Sequence, residues 1–233
     1  MLFRSVLTAR KAHELDEAKT HLAALGITAH VYPNDLGAFD TIDPLIETIH
    51  AEVGPIDILV TNSGGPRSGP FETLSPADWD DAARVLLTSA VTLTRAVLPG
   101  MRARRWGRIL TITSIAARQP VDGLMLSNSL RAAVMAFART LANETAADGV
   151  TVNNLMPGYT KTDRVIDLST QVAARDGVAV SDVYARWERE IPMRRLGEPR
   201  EFGALAAFLA SDLASYITGQ SIAVDGGWIR SLV

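Results

Sequence analysis

The sequence predicts an α/β fold, a single domain over residues 1–233 built on a doubly wound parallel sheet, and three observations predict it. Short β-branched runs alternate with longer segments whose apolar residues recur at helical spacing. The run Ile58-Leu59-Val60 is apolar throughout, as in a strand covered on both faces of a parallel sheet. Glycine- and hydroxyl-rich turns close several runs, at the ends where such sheets take their ligands.

Ser5 to Ala9 reads as a strand, followed by a helix through Leu15, Ala18, Leu22 and Leu25 that stops at Gly26. Thr28 to Tyr32 is a second strand, ending at Pro33-Asn34-Asp35-Leu36. Ile42, Leu45, Ile46, Ile49 and Val53 mark one face of a helix that ends at Gly54-Pro55. The third strand, Ile58-Leu59-Val60, runs into Thr61-Asn62-Ser63-Gly64-Gly65-Pro66. Ser75-Pro76-Ala77-Asp78 is a helix start with a capping hydroxyl, and that helix runs to about Pro99, with a resumption toward Arg105 left open. Its basic tail, Arg102, Arg104 and Arg105, is either a solvated last turn or an anion-binding patch.

Arg108 to Thr113 is a β-branched strand that leads into Ser114, with the helix carrying Ser127-Asn128-Ser129-Leu130-Arg131 beyond it. Val150 to Leu155 is a strand ending at Met156-Pro157-Gly158-Tyr159-Thr160-Lys161-Thr162. Residues 163–197 break the alternation and are expected to form an irregular insertion serving as a lid; Tyr184, Trp187 and Met193 are either a pocket wall or the lid's own core. A helix from Glu198 to Ser211 and a strand from Ser221 to Val224 close the order.

Composition excludes several classes. A net charge of -3 gives no electrostatic case for nucleic acid or an anionic membrane surface. The absence of cysteine removes disulfides, thiolate metal sites and cysteine nucleophiles, and suits a reducing cytoplasm. His13 and His21 are too far apart on one helix for paired metal ligation, so no metal site is expected. Met1-Leu2-Phe3-Arg4-Ser5 has no apolar core behind it to make a secretory leader, and no run approaches the ~18 apolar residues of a spanning helix. A soluble, cytoplasmic protein is expected.

In this order the motifs resemble the short-chain dehydrogenase/reductase family, close to its 3-oxoacyl-acyl-carrier-protein reductase branch. The resemblance spans essentially the whole chain. Asn34-Asp35-Leu36 resembles the family's adenine-contacting turn, and Thr61-Asn62-Ser63-Gly64 stands where the family has Asn-Asn-Ala-Gly. Ser114 stands at the catalytic serine, Pro157-Gly158 with Thr160 and Thr162 resembles the segment that holds the nicotinamide, and Val224-Asp225-Gly226-Gly227 the C-terminal strand end. The resemblance implies a Rossmann-like fold and an oxidoreductase that moves a hydride between NAD(P)H and a carbonyl or hydroxyl substrate, in the manner of a 3-oxoacyl-thioester reductase. It also implies a homodimer or homotetramer through the helices at Ala77–Pro99 and Asn128–Ala147, whose small residues Ala82, Ser89, Ala90, Ala96, Ala132, Ala133 and Ala136 permit close approach.

The catalytic motif departs from the family pattern. Where the family has a tyrosine four residues before a lysine, this chain has Ser127 and Arg131, and where it has an asparagine on the preceding helix, this chain has Leu86. An aliphatic hydroxyl is a far weaker acid than a phenol, so a role typically worth ~10²–10⁴ in rate lacks its usual donor. Ser114, Ser127 and Arg131 remain the candidate catalytic residues, and Tyr159 is either a substitute acid or a packed ring.

The chain contains no G-x-x-x-G-x-G turn, the usual pyrophosphate cradle, so cofactor binding is expected to be weakened and the central first strand is expected to be missing. The strands at Ser5 and Ile58 would then face each other across a gap one strand wide, which implies either truncation, the favoured reading, or a rearrangement that closes the gap. Arg10, with no acid at its strand end, either suits a 2′-phosphate, for which NADP(H) is preferred over NAD(H), or is an exposed arginine in a helix's first turn. The changed motif leaves alternatives open: a catalytically inactive nucleotide- or ligand-binding homologue, or a truncated product.

Overall fold

A computed structural model describes residues 4–232; the leader reading of Met1–Phe3 lies outside these residues. The chain alternates strands and helices: β1 (Ser5–Ala9), α1 (Ala12–Ala24), β2 (Ala29–Pro33), α2 (Ile42–Glu52) and β3 (Ile58–Thr61) come first. Then follow α3 (Pro76–Ala83), α4 (Ser89–Arg104), β4 (Gly107–Ile112), α5 (Met125–Thr145) and β5 (Val150–Pro157). The last elements are α6 (Asp163–Asp176), α7 (Val180–Glu190), α8 (Pro199–Leu209) and β6 (Ser221–Val224).

All strand pairs are parallel, but they form two groups: β1 with β2, and β3-β4-β5-β6. Among the described residues β1 and β3 do not pair, so the rearrangement that would join them is not what this sequence does. The two groups share one apolar core instead. Val6 and Tyr32 pack against the cluster of Ile42, Ile46, Leu59, Val97, Ile109 and Val152, in which Ile42, Ile109 and Val152 are fully buried. Side-chain burial therefore seats β1 and β2 beside the main sheet without a hydrogen-bonded ladder.

Local sequence signals account for the helix ends. The Ser75 Oγ accepts from the Asp78 amide at 3.2 Å while the Asp78 carboxylate accepts from the Ser75 amide at 2.8 Å, a reciprocal cap. Helix α1 closes at Gly26, whose φ of 75° suits a residue without Cβ. Helix α4 continues through Pro99 to Arg104 rather than stopping there, and α3 joins it through a wider turn, Arg84–Thr88, of π geometry. The basic tail is tied down: Arg102 pairs with Asp148 at 2.8 Å, Arg104 with Asp57 at 3.0 Å, and Arg105 donates to the Ala147 carbonyl.

Two sequence expectations change. Residues 163–197 are not irregular: α6 and α7 form a helical pair, because Val165, Ala173, Val183, Trp187 and Ile191 fall on facing sides and bury together with Ile115, Leu196 and Trp228. Trp187 thus belongs to the pair's own core, while Met193 is exposed. Of the small residues expected to serve a partner, Ala82, Ser89 and Ala90 are buried inside the chain, which leaves Ala136 exposed on α5 and Ala96, Ala132 and Ala133 half-buried.

Candidate active site

Parallel register brings the strand ends to one edge. Thr61 lies beside Thr111, Ile112 beside Leu155, and Pro157 beside Val224, so the segments 62–65, 113–118, 157–162 and 225–228 leave the sheet on the same side. This is the edge at which a doubly wound sheet binds ligands.

Ser114 begins a short 3₁₀ turn, Ile115–Ala117, and its Oγ accepts from the Ala116 amide at 3.1 Å. That contact fixes the oxygen and leaves the O–H free to donate outward. Ser114 is half-buried, between the buried Thr113 and Ile115, so the hydroxyl sits at the rim of the packed core.

Ser127 is in the first turns of α5, 9% exposed, and its hydroxyl has no hydrogen-bond partner among the described residues. Arg131, one turn on, is 8% exposed. Its Nη1 donates to the carbonyl oxygens of Ile112 at 3.0 Å and Thr113 at 3.1 Å, and its Nη2 to that of Ser63 at 3.4 Å. Burial, reinforced by repulsion from Arg164, pushes the Arg131 guanidinium down to about 10. Arg131 therefore ties together the ends of β3 and β4 through neutral acceptors.

Sequence reasoning missed the partner of that tie. The Asn128 side chain grips one residue from both sides, donating from Nδ2 to the Val121 carbonyl at 3.0 Å and accepting from the Val121 amide at 3.3 Å. Between them, Asn128 and Arg131 hold the loop that carries Ser114 at its downstream and upstream ends. An amide and a guanidinium three positions apart on one helix, behind a strand end, was the available signal.

The remaining predicted residues are distributed along the edge. Leu36, Asn62, Ser63 and Arg131 line a cavity of about 10 Å³ that Leu86, Leu93 and Val134 make largely apolar, room for a single water. Leu86, at the position where the family has asparagine, therefore supplies a hydrophobic wall and no polar relay. Asp35 accepts from the Gly37 amide at 2.9 Å and shapes the turn after β2. A Cβ on Gly158 would lie 2.7 Å from the Asp225 Cα, so the approach of the β5 and β6 ends requires glycine there. The Thr160 hydroxyl donates to the Gly158 carbonyl and the Thr162 hydroxyl to that of Thr160, at 3.3 Å each, which holds the segment in a compact turn. Arg10 is exposed at the end of β1.

Tyr159 is the packed ring of the two readings. It stacks on Trp187 with centroids 4.5 Å apart and planes 17° apart, and meets Trp228 edge-on at 6.2 Å. Burial and the nearby Glu190 carboxylate push its phenol up to about 12, away from the range of a working acid.

A dinucleotide cofactor fits part of this edge. A Cβ on Gly64 would meet nothing within 4 Å, so the backbone there is open to a ligand, beside the exposed Asn62. Among the described residues no group of His, Asp or Glu is arranged to hold a metal ion, and no helix is long and apolar enough to cross a membrane.

Comparison with known proteins agrees with the geometry. Residues 4–229 match the family described as enoyl-(acyl carrier protein) reductase. The chain is 34% identical over 227 residues to a 3-oxoacyl-[acyl-carrier-protein] reductase of Salmonella typhimurium, covering 95% of this chain and 88% of that one. It is 35% identical over 212 residues to an acetoacetyl-CoA reductase of Shinella zoogloeoides, covering 91% and 83%. Among solved structures, an NADPH-dependent reductase involved in bacilysin biosynthesis superposes with a TM-score of 0.93 at 27% identity, covering 99% of this chain and 90% of that one. An actinorhodin polyketide ketoreductase with NADPH superposes with a TM-score of 0.94 at 27% identity, covering 98% and 88%.

Proposed function

The chain belongs to the short-chain dehydrogenase/reductase family and is related to 3-oxoacyl-acyl-carrier-protein and acetoacetyl-CoA reductases; on that premise we propose that it is an NADP(H)-dependent reductase of a small 3-oxoacyl-type carbonyl substrate. The observation that carries the reading is Ser114: a hydroxyl at the ligand edge whose oxygen is fixed by the Ala116 amide and whose hydrogen is free. NADPH-dependent neighbours support the choice of cofactor.

NADPH, when bound, would supply the hydride for the carbonyl carbon, and the chain's own part lies at the carbonyl oxygen. Ser114 donates a hydrogen bond to that oxygen and stabilises the negative charge that develops on it, an effect typically worth ~10²–10³ in rate per donor. Ser127 is assigned as the relay through which a solvent proton reaches the alkoxide. It gives one proton and takes another, so the proton balance is unchanged. Arg131 is a positioning residue that fixes the peptide preceding Ser114. Asp35, Leu36, Asn62, Ser63, Gly64, Pro157, Gly158, Thr160 and Thr162 are assigned to the surface that would hold the cofactor, with Arg10 the residue suited to its 2′-phosphate.

Helices α6 and α7 serve as the substrate lid, anchored by Ile115 next to the proposed donor. A cytoplasmic homo-oligomer assembled through the outer faces of α4 and α5 completes the proposal, and the exposed Ala136 supports the close approach of a partner helix.

The test is oxidation of NADPH by the purified chain with acetoacetyl-CoA and a panel of neutral 3-oxo esters. Turnover that needs both NADPH and a 3-oxo group is expected. Ligand binding without turnover across the panel would replace this reading by that of an inactive binding homologue.

A further inference from the structure

We infer that Arg131 and Arg164 form an anion-binding pair around the Ser63–Gly65 turn, suited to a phosphate or carboxylate group carried by the molecule bound at this edge. The inference rests on the reductase reading only for which molecule brings the anion.

Both cations reach the same three residues from different elements. Arg131 comes from α5 and donates to the Ser63 carbonyl. Arg164 comes from the first turn of α6 and lies over Gly65, where a Cβ would stand 2.6 Å from its Nε and Nη2 atoms. The turn itself, Ser63-Gly64-Gly65, contains no acid. Gly65 is exposed and the space above Gly64 is open, so a ligand can reach the guanidinium of Arg164 from solvent.

Neither arginine has an ion-pair partner among the described residues. Among the described arginines without a carboxylate partner Arg131 alone is buried; the others, Arg164 included, are exposed or half-buried. Arg131 has only carbonyl acceptors, and the charged group that perturbs it is the second cation, Arg164. A buried cation facing another cation is unfavourable until an anion supplies the missing charge. The exposed Arg164 offers a planar, paired donor fork of the kind that recognises phosphate and carboxylate, and Arg131, whose Nη1 is committed to backbone carbonyls, adds its buried charge. The anion is either a phosphate of the cofactor or the acidic group of the substrate.

The experiment titrates sodium pyrophosphate against thermal unfolding at constant ionic strength, with chloride as the balance, in the wild-type chain, Arg164→Gln and Gly65→Ala. Arg164 is exposed, so its replacement does not threaten the fold; Gly65→Ala keeps the charge but pushes the guanidinium aside, and the backbone at Gly65 is not in the left-handed region. Pyrophosphate is expected to raise the midpoint temperature of the wild type, with the half-effect concentration ~10- to 100-fold higher in both variants, the loss of one charge-assisted hydrogen bond. NADPH affinity and the KM values for acetoacetyl-CoA and ethyl acetoacetate then separate the sources. A weakened NADPH affinity assigns the pair to the cofactor. A raised KM for acetoacetyl-CoA alone assigns it to the substrate. Equal responses to pyrophosphate in wild type and Arg164→Gln, or no response beyond chloride, overturn the inference. A chain without turnover loses the reductase reading while the pyrophosphate and NADPH measurements still decide this one.

Discussion

Arg131 donates from Nη1 to the carbonyl oxygen of Thr113 at 3.1 Å, so the buried cation of α5 grips the peptide immediately before Ser114. At the position where the resemblance places a lysine beside a catalytic tyrosine, this chain uses the positive charge to fix backbone. Removing the guanidinium leaves the carbonyls of Ile112, Thr113 and Ser63 without their shared donor. Arg131→Met, which keeps the aliphatic stem and drops the charge, is expected to destabilise the fold by ~1–3 kcal/mol, read from urea unfolding. Arg131→Lys falls between the two, since one ammonium cannot reproduce the planar fork.

The clamp of Asn128 on Val121 predicts a local effect. Asn128→Ala removes two hydrogen bonds to one peptide unit, at a cost of ~1–2 kcal/mol, and frees the loop between Arg118 and Leu124. Hydrogen exchange should show faster exchange of the Val121 amide, with protection of the β4 and β5 ladders unchanged. Equal loss of protection across the sheet would mean that Asn128 stabilises the fold as a whole and holds no particular loop.

Stacking between Tyr159 and Trp187 predicts that the phenol takes no part in proton transfer. Its folded-state value of about 12 lies above its ordinary value of 10, so any stability tied to the neutral phenol is complete below pH 10 and is lost as pH rises toward 12. Tyr159→Phe is expected to leave the pH dependence of turnover unchanged. Tyr159→Ala should cost ~3 kcal/mol through the cavity between Trp187 and Trp228. A shifted alkaline limb in Tyr159→Phe would restore this residue as the proton donor.

The Arg195 guanidinium and the Glu198 amide hold the Glu201 carboxylate down to about 2, below its ordinary 4.5. Its contribution is therefore present above pH 4.5 and is lost as pH falls through 2. Glu201→Gln should lower the acid dependence of the midpoint temperature across that window and leave the dependence above pH 5 unchanged.

Much of this architecture is legible in the chain because it follows from local rules. The apolar run at β3, the reciprocal cap at Ser75 and Asp78, and the stop at Gly26 each follow from steric or hydrogen-bonding needs of a few neighbouring residues. The α6 and α7 pair was harder to see, because its helical stripes are interrupted by charge and become coherent only once Ile115, Leu196 and Trp228 come to them from distant segments. The same holds at the site. Ser114 and the strand-end turns are recognisable in sequence order, and the spacing of Asn128 and Arg131 hints at a shared task, whereas the acceptors that each takes and the position of Arg164 over Gly65 depend on loop geometry. Tyr159 shows the limit in the other direction: composition permits an acid, and two tryptophans make it a packing residue.

The central claim is that the Ser114 hydroxyl donates to the carbonyl oxygen of a substrate reduced by NADPH. Its most direct measurement is kcat for acetoacetyl-CoA reduction by Ser114→Ala beside the wild type, with midpoint temperatures compared in the same buffer. The account predicts that kcat falls ~10²–10³-fold while KM changes little, since the donor acts on charge that develops only in the transition state. Loss of the Ser114 cap on Ala116 should lower stability by only ~1 kcal/mol, so the variant remains folded. A folded Ser114→Ala chain with wild-type kcat would contradict the account.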